Sequence, residues 1–273
     1  MKKNYFIIVL SALIVFPFYA LFAQNENSDI KTGKSKVSFG ADFVSRYIWR
    51  GMQLGGNAPN IQPAITYNYG GFEAGVWGSF SLAGSNYSDE VDLYVSQSFA
   101  NQMFTITLTD YFFPVEFGTY KYFDYRKDST GHVFEGAFTY NGFEKFPLTA
   151  MIAVNFYGAD AARIESDPGN NEFNQKTGIQ YSTYLELGYP FKVSSIDFDT
   201  FIGFNLTTPK KADNSTGYVG ETGFYGDRIG VVNLGFTASK AIQITKKFAM
   251  PVNLSLITNP LSGKIFFVFG ISI

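Results

Sequence analysis

The chain has 273 residues, a formal net charge of −2 at pH 7, no cysteine and an aromatic content of 18%. The absence of cysteine excludes disulfides, thiol nucleophiles, thiolate metal sites and lipid attachment at an N-terminal cysteine. The charge gives no polybasic signal, so we do not expect a nucleic-acid partner. The aromatic excess, 30 Phe and 18 Tyr, is more typical of interfacial girdles in a membrane barrel than of an ordinary core.

The N-terminus has the pattern of an export signal. Met1–Lys3 is positively charged, Tyr5–Phe22 is apolar, and Ala23-Gln24 is a plausible cleavage point. The alternative is a membrane anchor, because the apolar stretch borders on spanning length. We predict a signal peptide over residues 1–23 and a disordered periplasmic lead-in over 24–36.

Residues 37–273 alternate between apolar and polar side chains with a period of two, which predicts strands. Most of these segments have the roughly 10 residues of a tilted membrane-spanning strand. The even number of strands fits a closed bacterial barrel with both ends in the periplasm. The twelve predicted strands are 37–49, 59–69, 72–82, 88–99, 102–113, 132–140, 146–157, 177–189, 194–206, 228–240, 248–258 and 264–273.

Short and long connections alternate along the chain, as in a transmembrane antiparallel up-and-down barrel with short periplasmic turns and longer extracellular loops. The short connections contain Gly70-Gly71, Ala100-Asn101, Asn141-Gly142, Pro190–Val193 and Thr245–Lys247. The long polar connections are 50–58, 83–87, 114–131, 158–176 and 207–227.

A water-soluble barrel or sandwich would also alternate, with charged residues on its outer face. Here the second face of the strands carries mostly Ser, Gly, Thr and Asn, which suits a narrow lumen better. The last predicted strand is apolar at every second position from Ile265 to Ile273, an unusual edge for a soluble domain. The sequence therefore favours an all-β barrel in the bacterial outer membrane over the soluble alternative.

Three segments carry a resemblance to a known family. They are Ser45–Gly51 (S-R-Y-x-x-R-G), Gly75–Ser79 (G-x-W-x-S) and Glu90–Tyr94 (E-x-D-x-Y). Together they resemble a family of bacterial outer-membrane barrels of unknown function, and the resemblance is specific over residues 39–99. It implies a porin-like barrel with no assigned substrate and no catalytic residues. The chain ends in Ile273, where outer-membrane barrels usually end in Phe or Trp.

Alternation also predicts which charged side chains face the lumen, because a charge on the lipid face at the bilayer midplane costs about 2–4 kcal/mol for Arg or Lys. Arg50 is predicted at the rim on the same parity as Arg46. The predicted lumen-facing charged residues are Asp42, Arg46, Arg50, Glu73, Asp92, Glu135, Glu186, Asp197 and Asp199.

Two interpretations of this set remain open. An acidic channel would favour cations, because a low-dielectric wall screens the carboxylates weakly. Alternatively, Arg46 ties neighbouring strands together through acids such as Glu73 or Asp92, and the lumen is plugged. Tyr47 and Trp49 have the character of girdle residues at the upper interface.

Trp77 is predicted to face the lumen, where it would stack on a ligand or fill a narrow barrel. His132, the single histidine, lies on the lipid-facing parity at a strand start, and no serine has a defined relation to it. We therefore expect rim packing and no enzyme. Asp197 and Asp199 alone cannot supply the six or more oxygens that calcium needs, so neither a metal nor a cofactor is expected.

The segment Val115–Thr130 contains five aromatic residues, which is unusual for a solvated loop. It is predicted to fold inward as a constriction or to pack across the barrel mouth. The sequence as a whole favours passive or weakly cation-selective passage of small solutes. The alternative is a non-conducting structural or interaction barrel that presents loops or docks in an envelope complex. Expected partners are outer-membrane lipids, small solutes and the outer-membrane assembly machinery.

Overall fold

The computed structural model describes residues 35–83, 89–114, 121–127, 129–246 and 248–273. The predicted signal peptide, most of the lead-in and the loop residues 115–120 lie outside this description. The strands are β1 (Lys36–Val44), β2 (Ile48–Trp49), β3 (Met52–Gln53), β4 (Asn60–Tyr69), β5 (Phe72–Ser81), β6 (Glu90–Phe99), β7 (Phe104–Phe112), β8 (His132–Tyr140), β9 (Thr149–Gly158), β10 (Ala162–Ile164), β11 (Lys176–Ile179), β12 (Thr183–Val193), β13 (Ile196–Asn205), β14 (Gly230–Thr245), β15 (Phe248–Asn259) and β16 (Lys264–Ser272).

Twelve of these strands form one closed antiparallel barrel, which confirms the predicted all-β class and strand number. Each wall strand pairs with its neighbours along the chain, in the order β1-β4-β5-β6-β7-β8-β9-β12-β13-β14-β15-β16 and back to β1. The remaining strands form two small hairpins, β2–β3 and β10–β11, in the connections. In the described part of the chain, no helix is long and apolar enough to cross a membrane.

The wall closes at a short join between β1 and β16, which we call the seam. Three positions pair there: Asp42 with Ser272, Phe43 with Ile271, and Val44 with Gly270. Two backbone hydrogen bonds between Ala41 and Ile273, at 3.0 and 3.1 Å, extend the seam. By contrast, β1 and β4 pair over all nine residues of β1.

The two ends of the barrel differ in their connections. At one end, the turn end, the joints are 70–71, 100–103, 141–148, 194–195 and 246–247. At the other, the loop end, the connections are 45–59, 82–89, 113–131, 159–182, 206–229 and 260–263. Period-two alternation along the wall gives an apolar outward face, seen in Ile106 and Leu108, and an inward face of mostly small polar residues such as Thr105 and Thr107.

Several predicted boundaries were wrong, and each error has a local cause. The first predicted strand continued to Trp49, but β1 ends at Val44 because the chain then turns into the β2–β3 hairpin. The predicted strand 177–189 is divided: Lys176–Ile179 pairs with β10, and β12 starts only at Thr183. The Pro190–Val193 segment lies within β12, since Pro190 pairs with Asp199, and the turn is made by Ser194 and Ser195.

Candidate functional site

The connection 45–59 folds into the loop end of the barrel. Its β2–β3 hairpin turns at Arg50 and Gly51, both in the left-handed region, with φ of 48° and 74°. Gly51 approaches β14 so closely that a Cβ there would collide with the carbonyl oxygen of Val232. Asn259 fixes the turn from β15, because its Nδ2 donates to the Gly51 carbonyl at 3.2 Å. A glycine is therefore required at the tip of the hairpin.

The tip places Arg50, which is only 5% exposed, inside the barrel. Its guanidinium forms a bidentate ion pair with Glu135 of β8, at 2.5 Å from Nη1 to Oε2 and 2.9 Å from Nη2 to Oε1. Nη1 also donates to the Tyr225 hydroxyl at 2.6 Å, and the Tyr111 hydroxyl donates to Glu135 at 3.0 Å. The bidentate geometry and the two tyrosine hydroxyls offset part of the cost of burying these charges, and the buried Nε of Arg50 has no hydrogen-bond partner among the described residues.

Aromatic rings surround the ion pair. The guanidinium carbon of Arg50 lies 4.5 Å from the ring centroids of both Trp49 and Tyr184, and 5.7 Å from that of Tyr225. These rings also pack on one another: Trp49 lies 5.4 Å from Tyr111, and Tyr184 lies 5.4 Å from Tyr225. We call this set, Arg50, Glu135, Trp49, Tyr111, Tyr184 and Tyr225, the plug.

A second polar group adjoins the plug. The Tyr184 hydroxyl donates to the carboxylate of Glu186, and Asn233 donates from Nδ2 to the same carboxylate oxygen at 2.9 Å. All three side chains are buried. Since β12 supplies Tyr184 and Glu186 and β14 supplies Asn233, the group links two wall strands through the interior.

The three segments that carry the sequence resemblance meet in this interior. Tyr47 packs on Trp77 with ring centroids 5.4 Å apart, and both are buried. Glu90 and Asp92 lie beside Tyr47, also fully buried. These residues therefore belong to the inserted hairpin and to the part of the wall that faces it.

The turn end has a different interior. Lys192 pairs with Asp197 at 2.8 Å, with about half of each side chain exposed, 51% and 42%. The Tyr94 hydroxyl donates to Glu73 at 2.8 Å. Small polar side chains also occur here, such as Ser239 and Thr237 of β14, which pair with Asp197 and Asp199 of β13. The described interior thus changes from packed aromatic and charged groups at the loop end to small polar groups at the turn end.

Most of the predicted lumen residues face the interior, but not all of them do. Asp42, Glu73, Asp92, Glu135, Glu186, Asp199 and Trp77 lie on the inward face of the wall, and Asp197 is half exposed at the turn end. Arg46 was predicted inside, but it is exposed and donates to Gln53 at 3.5 Å. Arg50, predicted at the rim, is the buried arginine. The physical reason is that alternation stops at Val44, so parity no longer applies beyond it.

Two further predictions need correction, and several residues were missed. Tyr47 and Trp49 are not girdle residues at an interface, because both are buried in the interior. Tyr111, Glu90 and Tyr184 follow the inward parity of their strands, so alternation could have found them. Tyr225 lies in a loop and has no such signal.

His132 lies on the outward side of the wall and is fully buried. Its Nδ1 lies 2.7 Å from the Asp110 carboxylate and its Nε2 lies 2.6 Å from the carbonyl oxygen of Tyr122. A carbonyl only accepts, so Nε2 carries a proton, and when Asp110 is ionised both nitrogens donate. No serine engages either nitrogen in the described residues, and both ring nitrogens are occupied by the links to β7 and to the aromatic loop.

The aromatic loop does not fold inward in its described part. Residues 121–127 and 129–131, which we call the strap, lie against the outward faces of β7 and β8. The Tyr122 ring packs on Phe112 at 5.1 Å, and the Tyr125 ring packs on His132 at 4.4 Å. A turn with hydrogen bonds from Arg126 to Asp124 shapes the strap and lowers the pKa of the Asp124 carboxyl.

The two longest loops form a structured cap at the loop end. Glu221 accepts from Arg163 at 2.8 Å and from the backbone nitrogens of Ile164 and Lys210 at 3.1 and 2.7 Å. This carboxylate therefore ties the β10–β11 hairpin to the connection 206–229. Among the described residues, no group of three His, Cys, Asp or Glu side chains is arranged to hold a metal ion.

Comparisons with known proteins bear on the family of the chain. No curated protein matches the chain. A family model described as "Bacterial protein of unknown function (Gcw_chp)" matches residues 30–218. The match extends well beyond residues 39–99, where the sequence resemblance is specific, and includes Arg50, Gly51 and Glu135 but not Tyr225. The chain therefore belongs to the bacterial family of unknown function Gcw_chp.

Proposed function

We propose that this protein is an integral β-barrel of the bacterial outer membrane and that its resting state is closed. The outward face of the wall supports membrane insertion. Large apolar side chains are exposed on it around the barrel, among them Val37, Phe39, Ile65, Val95, Ile106, Leu108, Phe138, Ile152, Leu254, Ile265 and Phe267. Soluble monomers rarely expose apolar patches larger than a few hundred Å².

The N-terminal signal pattern and the family resemblance support the same location. Carbonate washing of membranes tests it. An integral barrel stays in the pellet and shows heat-modifiable migration in gels, whereas release into the supernatant would contradict the proposal.

The plug is the observation that carries the closed state. It joins the inserted hairpin, β7, β8, β12 and the connection 206–229 through one buried ion pair and its aromatic surroundings. Passage of a solute along the barrel axis would require these groups to separate. Separation would break a bidentate ion pair and unpack the rings around it, so we expect spontaneous opening to be infrequent. We therefore favour the non-conducting barrel, which presents its capped loops outside or docks in an envelope complex.

Cation passage is the second candidate, and the composition of the interior supports it. Carboxylates predominate on the inward face of the described strands, including Asp42, Glu73 and Asp199. Once the plug moved, such a lumen would attract small cations because the surrounding wall screens charge weakly. Under this candidate the plug is a gate.

Single-channel recording in planar bilayers under a salt gradient separates the two functions. The non-conducting role predicts no steady openings from protein whose fold is verified by heat modifiability. Steady openings with cation preference, weakened by Asp197→Asn together with Asp199→Asn, would overturn it in favour of passage. Lys240→Gln serves as a control for the loss of a charge outside the lumen, because its side chain is exposed on the outward parity of β14 near the turn end.

A further inference from the structure

The strap presents an exposed aromatic residue on the outside of the wall. Phe123 is 86% exposed, and its described ring contact is with Tyr122 at 5.1 Å. A single exposed apolar residue is ordinary on a protein surface. Phe123 is unusual because the segment that carries it is held in place by buried polar groups.

Two hydrogen bonds hold the strap to the wall strands β8 and β9, and a third, from β7, braces the histidine that makes the first of them. His132 of β8 bonds the Tyr122 carbonyl at 2.6 Å and is itself paired with Asp110 of β7. The Tyr157 hydroxyl of β9 donates to the carbonyl of Tyr125 at 2.6 Å. Burying a histidine and a carboxylate on an outward face has a desolvation cost, which the hydrogen bonds offset only while the strap stays docked. The fold thus fixes Phe123 at one height on the wall.

The surroundings of Phe123 have two chemical characters. Below the strap, the wall is apolar and aromatic, with Phe134 and Phe156 at 6.3 Å from each other. In the segment 121–131 the sequence has three cations, Lys121, Arg126 and Lys127, and two acids, Asp124 and Asp128, and the three cations are exposed. Arg126 is bonded to Asp124, and the segment 121–131 keeps a formal charge of +1 because two lysines, Lys121 and Lys127, stand against Asp128. An apolar group next to cations matches the boundary between acyl chains and phosphate groups in a lipid layer.

We propose that the strap is a lipid-binding hook that inserts Phe123 into the membrane interface and places its lysines on the phosphates of anionic lipids. This inference rests on the proposed outer-membrane location. The continuity of the strap with the apolar wall favours lipid over a protein partner, since the same bilayer that covers Phe134 and Phe156 would reach Phe123.

Tryptophan fluorescence of Phe123→Trp tests the hook in vesicles of phosphatidylcholine, alone or mixed equally with phosphatidylglycerol. Native Trp49 and Trp77 are buried inside the barrel, so the wild-type spectrum is subtracted as background. The new tryptophan should emit at shorter wavelength than in water and be quenched by brominated lipid. The combined change Lys121→Gln and Lys127→Gln should remove the additional shift seen in anionic vesicles.

Two control tryptophans separate the possible failures. Leu108→Trp reports on the wall and Val219→Trp reports on the exposed cap, and both replace exposed apolar side chains. Quenching at position 108 but not at 123 would overturn the hook while leaving the membrane location intact. Quenching at neither position would overturn the membrane location itself. Equal shifts at position 123 in neutral and anionic vesicles would overturn the recognition of anionic lipid.

The His132 attachment has its own readout. His132→Gln keeps a donor but cannot bond both Asp110 and Tyr122. Combined with Phe123→Trp, it should reduce lipid quenching at position 123, whereas combined with Leu108→Trp it should leave quenching at position 108 intact. Unchanged quenching at position 123 in the glutamine variant would show that His132 does not position the hook.

Discussion

The two ends of the barrel have the same kind of wall but different interiors. At the loop end, Arg50 and Glu135 form a buried ion pair inside a ring of aromatic side chains. At the turn end, Lys192 and Asp197 form an ion pair at a similar distance, with both side chains about half exposed. What differs is the inserted chain: the connection 45–59 fills one end, whereas the described residues at the other end are the wall strands and their joints. The difference between the two interiors therefore comes from a loop.

The largest effect on stability is expected when the buried ion pair is broken. Arg50→Ala leaves Glu135 as an uncompensated buried charge and should lower the free energy of unfolding by about 3–5 kcal/mol. Lys192→Ala, the matched change at the turn end, should lower it by under about 1 kcal/mol. Urea denaturation followed by tryptophan fluorescence measures both. Similar losses in the two variants would contradict the difference between the ends.

The next effect concerns two glycines with positive φ. Gly51 (φ 74°) lies against the Val232 carbonyl, whereas Gly70 (φ 57°) at the turn end has no neighbouring atom in the way of a Cβ. Gly70→Ala should cost about 1–2 kcal/mol for the left-handed backbone alone. Gly51→Ala adds a steric cost of about 1–3 kcal/mol. Equal unfolding midpoints would show that the hairpin tip can move away from β14.

A smaller effect on stability is expected when one tyrosine hydroxyl is removed from each end of the barrel. Tyr225→Phe deletes the hydroxyl that accepts a hydrogen bond from Arg50. It should lower the free energy of unfolding by about 1.5–3 kcal/mol, because the hydrogen bond involves a buried charged group. Tyr94→Phe deletes the hydrogen bond to Glu73 nearer the turn end and should cost under about 1.5 kcal/mol, since that site is partly exposed. The same denaturation assay ranks them, and a larger loss for Tyr94→Phe would reverse the comparison.

The smallest effect on stability is expected for the exposed ion pair at the loop end, between Arg126 and Asp124, in contrast to the buried pair at the same end. Hydrogen bonds from Arg126 lower the pKa of Asp124 below the ordinary value of 3.8. The stabilisation is therefore present above that value and is lost as the pH falls through the lower, folded value. Because the pair is exposed, Asp124→Asn should change the unfolding midpoint far less than Arg50→Ala. Titration of the Asp124 carboxyl carbon by NMR checks the direction, and a midpoint above 3.8 would contradict it.

The wall was predictable from the sequence because alternation is a local signal. The predicted strand 72–82 differs from β5 (Phe72–Ser81) by one residue, and the prediction 132–140 coincides with β8. Whether a side chain faces inward or outward depends on its odd or even position along the strand. Asp42 and Glu135 could therefore be assigned to the inward face of their strands.

The plug could not be predicted in the same way. Arg50 and Glu135 are 85 residues apart, and Arg50 lies where the alternation has ended. The left-handed turn at Arg50 and Gly51 reverses the chain into the interior, and nothing in the local pattern says which way a loop folds. The same limit explains the strap: five aromatic residues indicated packing, but the outward partner, His132, was recognised only as a rim residue.

The seam gives the barrel a preferred place of opening. With three paired positions, it has fewer cross-strand pairs than any other join between described wall strands. Heat or mechanical force should therefore separate β1 from β16 first and convert the cylinder into a curved sheet. Because the hairpin that bears Arg50 follows β1 directly, rupture of this join would also withdraw the hairpin from the interior. The mechanical strength of the barrel and the position of the inserted hairpin are thus expected to depend on the same short ladder.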